Sequence, residues 1–281
     1  MRLQNAPQTA PDRGTSAPIM TMPDASSSMP LWPDASLDDL LALAGSRYAL
    51  EFTPVSAGGV TLHILQIADM RERLDRAIAQ NALQDALNTL PLWAKIWPAA
   101  LILGHVLRHM PIDGRSFLEI GAGCGVTGLV AAALGFERVC ISDVNEDALL
   151  FARINILKNG LQERAQVRRV DVSSDTLDER FSVIAGSEIL YLEHLYRPLV
   201  KFFKRHLAAQ DNPEVLLATD HRRKAKPFFK RAGKEFRIEH RQIGARETPT
   251  SGMAADAPTD TVDAAHTERH LLTVHRLTPL R

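Results

Sequence analysis

The run Leu118-Glu119-Ile120-Gly121-Ala122-Gly123-Cys124-Gly125-Val126-Thr127-Gly128 concentrates the residue types best able to bind a small ligand. Glycine permits positive φ and lets a ligand approach the backbone. A helix opening behind such a turn offers free N–H groups at the positive end of its dipole. Two spacings coexist. Gly123, Gly125 and Gly128 satisfy G-x-G-x-x-G, the arrangement that cradles a dinucleotide pyrophosphate. Gly121, Gly123 and Gly125, led by Glu119, give E-x-G-x-G-x-G. These ask for opposite electrostatics: a pyrophosphate wants donors and no nearby carboxylate, whereas an acid at the strand end suits a ligand carrying positive charge. Glu119 tips the balance toward the second. A strand–turn–helix corner without a ligand is the plain alternative, but three alternating glycines weaken a structure that gains nothing local from them.

Further acids follow at intervals that fit strand ends. Asp143 closes one apolar run, where a carboxylate can accept both ribose hydroxyls of a nucleoside cofactor of either kind. Asp171, in Val170-Asp171-Val172, could accept from an adenine exocyclic amine; taken singly it reads equally well as a cap. Ligands of open α/β sheets sit at the edge where such ends meet. Cys124 lies in the turn, where a helix N-terminus could lower its pKa, but no partner His is evident and no nucleophilic role is assigned. Cys124 and Cys140 are too few for a disulfide framework and fit no zinc spacing, so no metal is expected and a reducing, cytoplasmic setting is the simple reading.

The elements needed to position these acids are legible as an alternation. Tyr48 to Pro54 and Val60 to Ile67 read as a hairpin across Ala57-Gly58-Gly59, and Asp69 to Leu87 as a helix. Pro98 suits a helix start before Ala99 to Met110. Strands are expected at 116–120, 138–142, 166–170, 181–186 and 214–219, with helices at 126–134, 145–159, 192–207 and 225–232. Two last strands, 236–241 and 270–277, have no convincing helix between them and read as an antiparallel pair. The expected fold is α/β: a doubly wound, Rossmann-like, seven-stranded, mostly parallel sheet with an antiparallel C-terminal strand, preceded by a β-hairpin and helices. Residues 1–35 and 247–267, rich in Pro, Ser, Thr, Asp and Ala, read as a disordered tail and a mobile loop. The remainder, 36–281, is one domain, with a hairpin and helical extension at 36–110 and a core at 111–281.

Composition sets outer limits. With 281 residues, 45% apolar and 23% charged, the chain is neither wholly disordered nor collagen-like. Lys plus Arg number 33 and Asp plus Glu 33, which argues against a surface that grips nucleic acid as a whole. No stretch reaches the roughly 18 to 20 apolar residues of a membrane helix, the first residues lead into no apolar signal segment, and no dimer seam is apparent. The neutral average conceals one basic region. From Lys201 to Arg246 there are thirteen Lys and Arg against five Asp and Glu, read either as solvated helix faces or as a docking surface for an acidic partner, protein or RNA.

Two further segments narrow the reading. Pro91-Leu92-Trp93-Ala94-Lys95-Ile96-Trp97-Pro98-Ala99-Ala100 precedes the glycine turn, and Ser187-Glu188-Ile189-Leu190-Tyr191 follows the fourth strand of the core. With E-x-G-x-G-x-G, which resembles motif I of class I S-adenosylmethionine (SAM) methyltransferases, these resemble the seven-β-strand protein-lysine methyltransferases (methyltransferase family 16) from about Leu90 to Leu277. SAM carries a sulfonium and an α-amino group and no phosphate, in keeping with Glu119. The resemblance implies that Trp97 packs beside the cofactor and that Glu119, Gly121, Gly123 and Gly125 line its methionine part. It implies Asp143 on the ribose, Asp171 and Val172 around the adenine, and Ser187 beside the cofactor. Glu188 and Tyr191 would form the [D/E]-x-x-Y motif at the mouth of the methyl-transfer site. Members often carry Asp at its first position, and Glu188 is one methylene longer.

The same resemblance implies methyl transfer to a protein side-chain nitrogen, most simply lysine, with a protein substrate. Other readings stay open beside it: a small-molecule or RNA methyltransferase on the same cofactor core, and a nucleotide-dependent oxidoreductase or non-catalytic binding module. Ser187-Glu188-Ile189-Leu190 is not the N-P-P-Y-like motif typical of adenine N-methylation. Each site residue also has a structural reading. Glu188 would be an acid at a helix N-terminus, Tyr191 a half-buried packing residue, and Trp93 and Trp97 a packed pair on one helical face.

Overall fold

Strands buried on both faces must be apolar almost throughout, and Phe117-Leu118, Val139-Cys140-Ile141, Val183-Ile184-Ala185 and Val215-Leu216-Leu217-Ala218 meet that demand. They form the middle of a seven-stranded sheet. The computed structural model describes residues 31–70, 91–209, 212–246 and 269–280, together with residues 72, 76 and 79. Its elements are α1 (Leu37–Gly45), β1 (Leu50–Ala57), β2 (Val60–Ile67), α2 (Pro98–Leu107), β3 (Ser116–Ile120), α3 (Val126–Leu134), β4 (Arg138–Asp143), α4 (Glu146–Lys158), β5 (Ala165–Arg169), β6 (Val183–Ser187), α5 (Tyr196–His206), β7 (Glu214–Asp220), α6 (Lys226–Ala232), β8 (Phe236–Arg246) and β9 (Arg269–Pro279).

The strand order is β5-β4-β3-β6-β7-β9-β8. β3 to β7 run parallel, while β9 is antiparallel to both β7 and β8. The expected fold class is therefore the observed one, including the antiparallel end. Successive strands step outward from β3 through β4 to β5, and then the order reverses from β3 to β6 and β7. Such a reversal leaves a crevice at the carboxyl ends of the strands, where β3, β4 and β6 bring Gly121, Asp143 and Ser187.

Alternation along the strands sorts the core into two layers. Phe117, Ile141, Ala185, Leu216 and Val274 face α2, α3, α4 and the hairpin. Leu118, Cys140, Ile184, Leu217 and Leu277 face α5 and α6. The hairpin joins the first layer through a two-residue turn at Gly58 and Gly59, both at positive φ as a primed turn demands. Its second strand, β2, is held by α4 and the residue that caps it. Asn155, fully buried, accepts the Leu65 N–H at 2.7 Å and donates to the Cys124 carbonyl at 3.0 Å. One turn on, Asn159 accepts from His63 N–H and donates to His63 carbonyl, each at 2.9 Å. Two side chains of one helix thus satisfy a strand edge and, through Asn155, tie it to the glycine turn.

Several boundaries move for physical reasons. The helix expected from Leu192 begins at Tyr196, after a single 3-10 turn at Glu193–Leu195. Pro198 has no N–H to give the His194 carbonyl, so it is tolerated only in a first turn. α1 was not singled out in the sequence, although Ser36 and Asp39 form a reciprocal capping box at its start. Trp32 lies inside the stretch read as a disordered tail, yet it is buried with the main core. The helix expected over 69–87 lies largely outside the described residues, as do residues 1–30 and the loop at 247–267.

Removing Asn155 strands a buried N–H and a buried carbonyl at once. Asn155→Ala is expected to cost roughly 2–4 kcal/mol of unfolding free energy, measured by urea denaturation. A loss below about 0.5 kcal/mol would show that the hairpin is held by packing alone.

Candidate active site

The glycine turn is fixed from two sides. Gly121, Gly123 and Gly125 all have positive φ, at 58°, 55° and 82°. A Cβ on Gly123 would stand 2.4 Å from the Trp93 carbonyl oxygen, to which the Cys124 N–H donates at 3.1 Å. No other residue fits there. On the other side Asp143 ends β4 and is 9% exposed. Its Oδ2 accepts the Gly123 N–H and its Oδ1 the Asn145 N–H, each at 2.9 Å. Burial raises the Asp143 pKa, opposed by the N–H groups of Asn145, Gly123 and Val144. Its carboxylate therefore shapes the turn, and each oxygen keeps a second lone pair for a ligand hydroxyl.

Glu119 lies beneath the turn on β3, 1% exposed. Its Oε2 accepts the Gly128 N–H at 2.8 Å, which caps the third residue of α3, and Oε1 makes no hydrogen bond of ordinary geometry among the described residues. Burial raises the carboxyl to about 7, opposed by the Gly128 and Thr127 N–H groups and the Thr127 hydroxyl. The expected depression of the Cys124 thiol is not realised. Burial, reinforced by Glu119, pushes it up to about 12.

Ahead of the turn, Leu92–Ala94 form a 3-10 turn and Lys95 and Trp97 are extended, because Pro98 disfavours helix at the residue before it. The two tryptophans consequently do not share a helical face. Trp93 packs edge-on against Phe151 (4.9 Å) and Tyr48 (5.8 Å). Trp97 donates its indole N–H to the Leu92 carbonyl at 3.2 Å, with the Lys95 ammonium 4.7 Å from its ring centroid. Asp171 stands two residues beyond β5, where Oδ1 accepts from the Ser173 N–H (2.8 Å) and hydroxyl (2.6 Å). Those two bonds hold its pKa below the ordinary carboxylate value. Much of Asp171 thus serves its own turn. Val172 is half-buried against the α5 layer.

At the end of β6, Ser187 is partly exposed, and Glu188 adopts φ 55°, a conformation that costs a non-glycine residue on the order of 1 kcal/mol. Its N–H donates to the Ala218 carbonyl, and its Oε1 accepts the Asp220 N–H at 2.7 Å. Oε2 lies 3.5 Å from the Arg223 Nε. Burial raises the Glu188 pKa, and the Asp220 N–H and Arg223 oppose this. Glu188 is no helix-start acid, since α5 opens eight residues later; the end of β7 holds it instead. Tyr191 is 61% exposed, so it is not the half-buried packing residue considered above. The Asp143 charge contributes to its raised phenol, after desolvation, which puts its hydroxyl near the same edge.

Among the described residues the exposed large hydrophobics are Val144, Tyr191 and Leu280, and two of these three flank Asp143 or Glu188. A ligand with an apolar ring and a cationic end fits this edge: bare glycine backbone, an incompletely bonded buried carboxyl, and apolar surface left uncovered. Sequence reasoning missed Val144, whose signal was an aliphatic residue directly after the strand-end acid. It also missed Arg223, counted only as one of many basic residues. A cavity of about 890 Å³ lies elsewhere, at the amino end of β7 beside His105, His109 and Arg241.

The family described as lysine methyltransferase matches residues 68–235, more than half of the chain. The chain is 35% identical over 133 residues to protein N-lysine methyltransferase METTL21A of Danio rerio, covering 44% of this chain and 59% of that protein. It is 26% identical over 171 residues to the electron transfer flavoprotein beta subunit lysine methyltransferase of Rattus norvegicus, covering 60% and 66%. The chain thus spans about three fifths of the length of the curated relatives it matches. Among solved structures it resembles TrmN from Thermus thermophilus, with a TM-score of 0.46 and 21% identity over 64% of this chain and 48% of that one.

Glu119 gives the site a pH signature. Its carboxyl is raised to about 7 when folded, against an ordinary value of 4.5, so the neutral form is favoured. That contribution is complete below the ordinary value and is lost as pH rises toward 7, a fall on the order of 3 kcal/mol. Glu119→Gln, compared with wild type by urea denaturation at pH 5 and pH 8, is expected to lose less stability over that interval by roughly 2 kcal/mol. Equal losses in both proteins would mean the carboxyl is not held neutral.

Proposed function

The chain belongs to the lysine methyltransferase family, and on that premise we propose that it transfers the methyl group of SAM to a lysine side chain of a protein. One observation carries this reading. The glycine turn over buried Glu119 and the strained, anchored Glu188 open on the same carboxyl edge of the sheet. When bound, SAM supplies a methyl group on a positively charged sulfur. In this reading Gly121, Gly123 and Gly125 present backbone to its methionine part, Glu119 lies beneath where that positive charge would favour its ionised form, and Asp143 takes the ribose. Asp171, Val172, Val144, Trp97 and Ser187 flank the rest.

Methyl transfer is an in-line displacement at carbon, so the protein's task is chiefly alignment. Glu188 is built for alignment. Its backbone is pinned to β7 and one oxygen to the Asp220 N–H, which leaves Oε2 to orient an incoming amine. Tyr191, open at the mouth, would line the path of the lysine side chain. A carboxylate favours the ammonium, whose ordinary pKa is about 10.4, so Glu188 cannot by itself release the proton.

We infer further that the substrate is acidic where it docks. The exposed faces of α5 and α6 carry Lys201, Lys204, Arg205, Lys226, Lys230 and Arg231, and the loop between β7 and α6 adds more. A cytoplasmic setting accords with two buried free thiols, Cys124 and Cys140.

Tritiated SAM incubated with the protein and a soluble cell extract should label material that protease destroys and RNase spares. Label lost to RNase alone would overturn the protein substrate. Glu188→Ala should lower protein labelling roughly 100-fold or more while calorimetric affinity for SAM stays within about threefold. Turnover like that of wild type would remove Glu188 from the site.

A further inference from the structure

The loop His221–Lys224, between β7 and α6, places cations directly beside Glu188, and they are not equivalent. Arg222 is engaged in a fork with Asp220, Nε to Oδ1 at 2.9 Å and Nη2 to Oδ2 at 2.8 Å. Lys224 meets the His221 carbonyl at 3.4 Å. Arg223 differs. Its ion pair among the described residues is the one at 3.5 Å with Glu188, made edgewise through Nε, while its side chain stays 38% exposed. The loop itself is held: the His221 N–H donates to the Leu271 carbonyl, the Arg223 N–H to the Asp220 carbonyl, and Ala225 takes φ 37° to start α6. Arg223 is therefore delivered to Glu188 by a fixed backbone.

We propose that Arg223 is a positioning residue that offsets the charge of Glu188, so that an amine oriented by Glu188 gives up its proton to solvent at a lower pH and becomes the nucleophile. This rests on the reading as a lysine methyltransferase and answers the difficulty left there. An amine within hydrogen-bond reach of Glu188 Oε2 lies about 6 Å from the Arg223 guanidinium, given the 3.5 Å separation of the pair. A like charge at that distance disfavours the ammonium and so offsets part of what Glu188, in closer contact, does alone. Glu188 sets direction, which its Asp220 N–H bond fixes, and Arg223 lowers the pH at which the amine is released. The other charged groups near Glu188 are accounted for. The Asp220 carboxylate is neutralised by Arg222 and lies 3.6 Å from the His221 ring. Asp143 acts on the Tyr191 side of the edge. Among the described residues, Arg223 is the loop cation whose ion pair is with Glu188.

The test is the pH dependence of tritium transfer from SAM into the most heavily labelled protein of an RNase-treated soluble extract, at limiting extract, from pH 6.5 to pH 10. Wild type should rise along an acid limb. In Arg223→Gln that limb should move up by one pH unit or more, with labelling at pH 7 reduced about tenfold and recovered at high pH. Arg223→Glu should move it further, and Arg223→Lys should restore the wild-type midpoint. Calorimetric binding of S-adenosylhomocysteine should be unchanged in all three, which separates the effect from misfolding. An Arg223→Gln profile with the wild-type midpoint, whatever its height, would overturn the proposal alone. Wild type that labels no protein at any pH would overturn the methyltransferase reading, and the proposal with it.

Discussion

The contact on which most of this site depends is between two stretches of backbone. Gly123 passes so close to the Trp93 carbonyl that no side chain fits between them, and its N–H is taken by Asp143 across the sheet. One residue therefore links the segment ahead of α2, the turn after β3 and the end of β4. The neighbouring Cys124 carbonyl extends the linkage through Asn155 to the hairpin. A turn clamped in this way, with the N–H groups of Ala122, Gly123, Cys124 and Gly125 all bonded within the protein, offers a ligand a bare backbone surface that has no need to reorganise on binding.

The electrostatics of the edge follow from the same packing. Glu119, Asp143 and Glu188 are all drawn out of water, and burial raises each of them. None is a simple surface anion. Glu119 and Asp143 are restrained by N–H groups of the turn, Glu188 by β7 and Arg223. The edge thus offers negative potential that is already partly compensated, suited to a cofactor and an acceptor that both arrive with positive charge. The strain at Glu188 has a plain cause in this setting: a positive φ turns the residue back so that its N–H meets Ala218 and its carboxylate meets Asp220.

Much of the fold was legible because strand–helix alternation is a coarse, repeated signal. The parallel strands, the helix beginning about Asn145, Pro98 at the head of α2 and the antiparallel end all follow from apolar runs and the missing helix between the last two strands. The glycine turn was legible because few other sequences tolerate three positive φ values in five residues. What was not legible depended on tertiary partners. Nothing in Trp93 or Trp97 tells that one packs on Tyr48 and Phe151 while the other bonds Leu92. The Cys124 thiol was expected to fall and instead rises, because burial penalises the thiolate more than the helix N-terminus favours it, and Glu119 adds to that penalty. Arg223 vanished into a count of thirteen basic residues, since its distinction is a distance of 3.5 Å to a residue thirty-five positions earlier.

The clamped turn and its acids suit a cationic nucleoside cofactor and not a dinucleotide. Calorimetric titration of the full chain with SAM, with S-adenosylhomocysteine and with NAD tests it most directly. Saturable 1:1 binding of SAM and S-adenosylhomocysteine, abolished in Gly123→Ala, is expected, with no heat of binding with NAD. Tight binding of NAD without binding of SAM would contradict it.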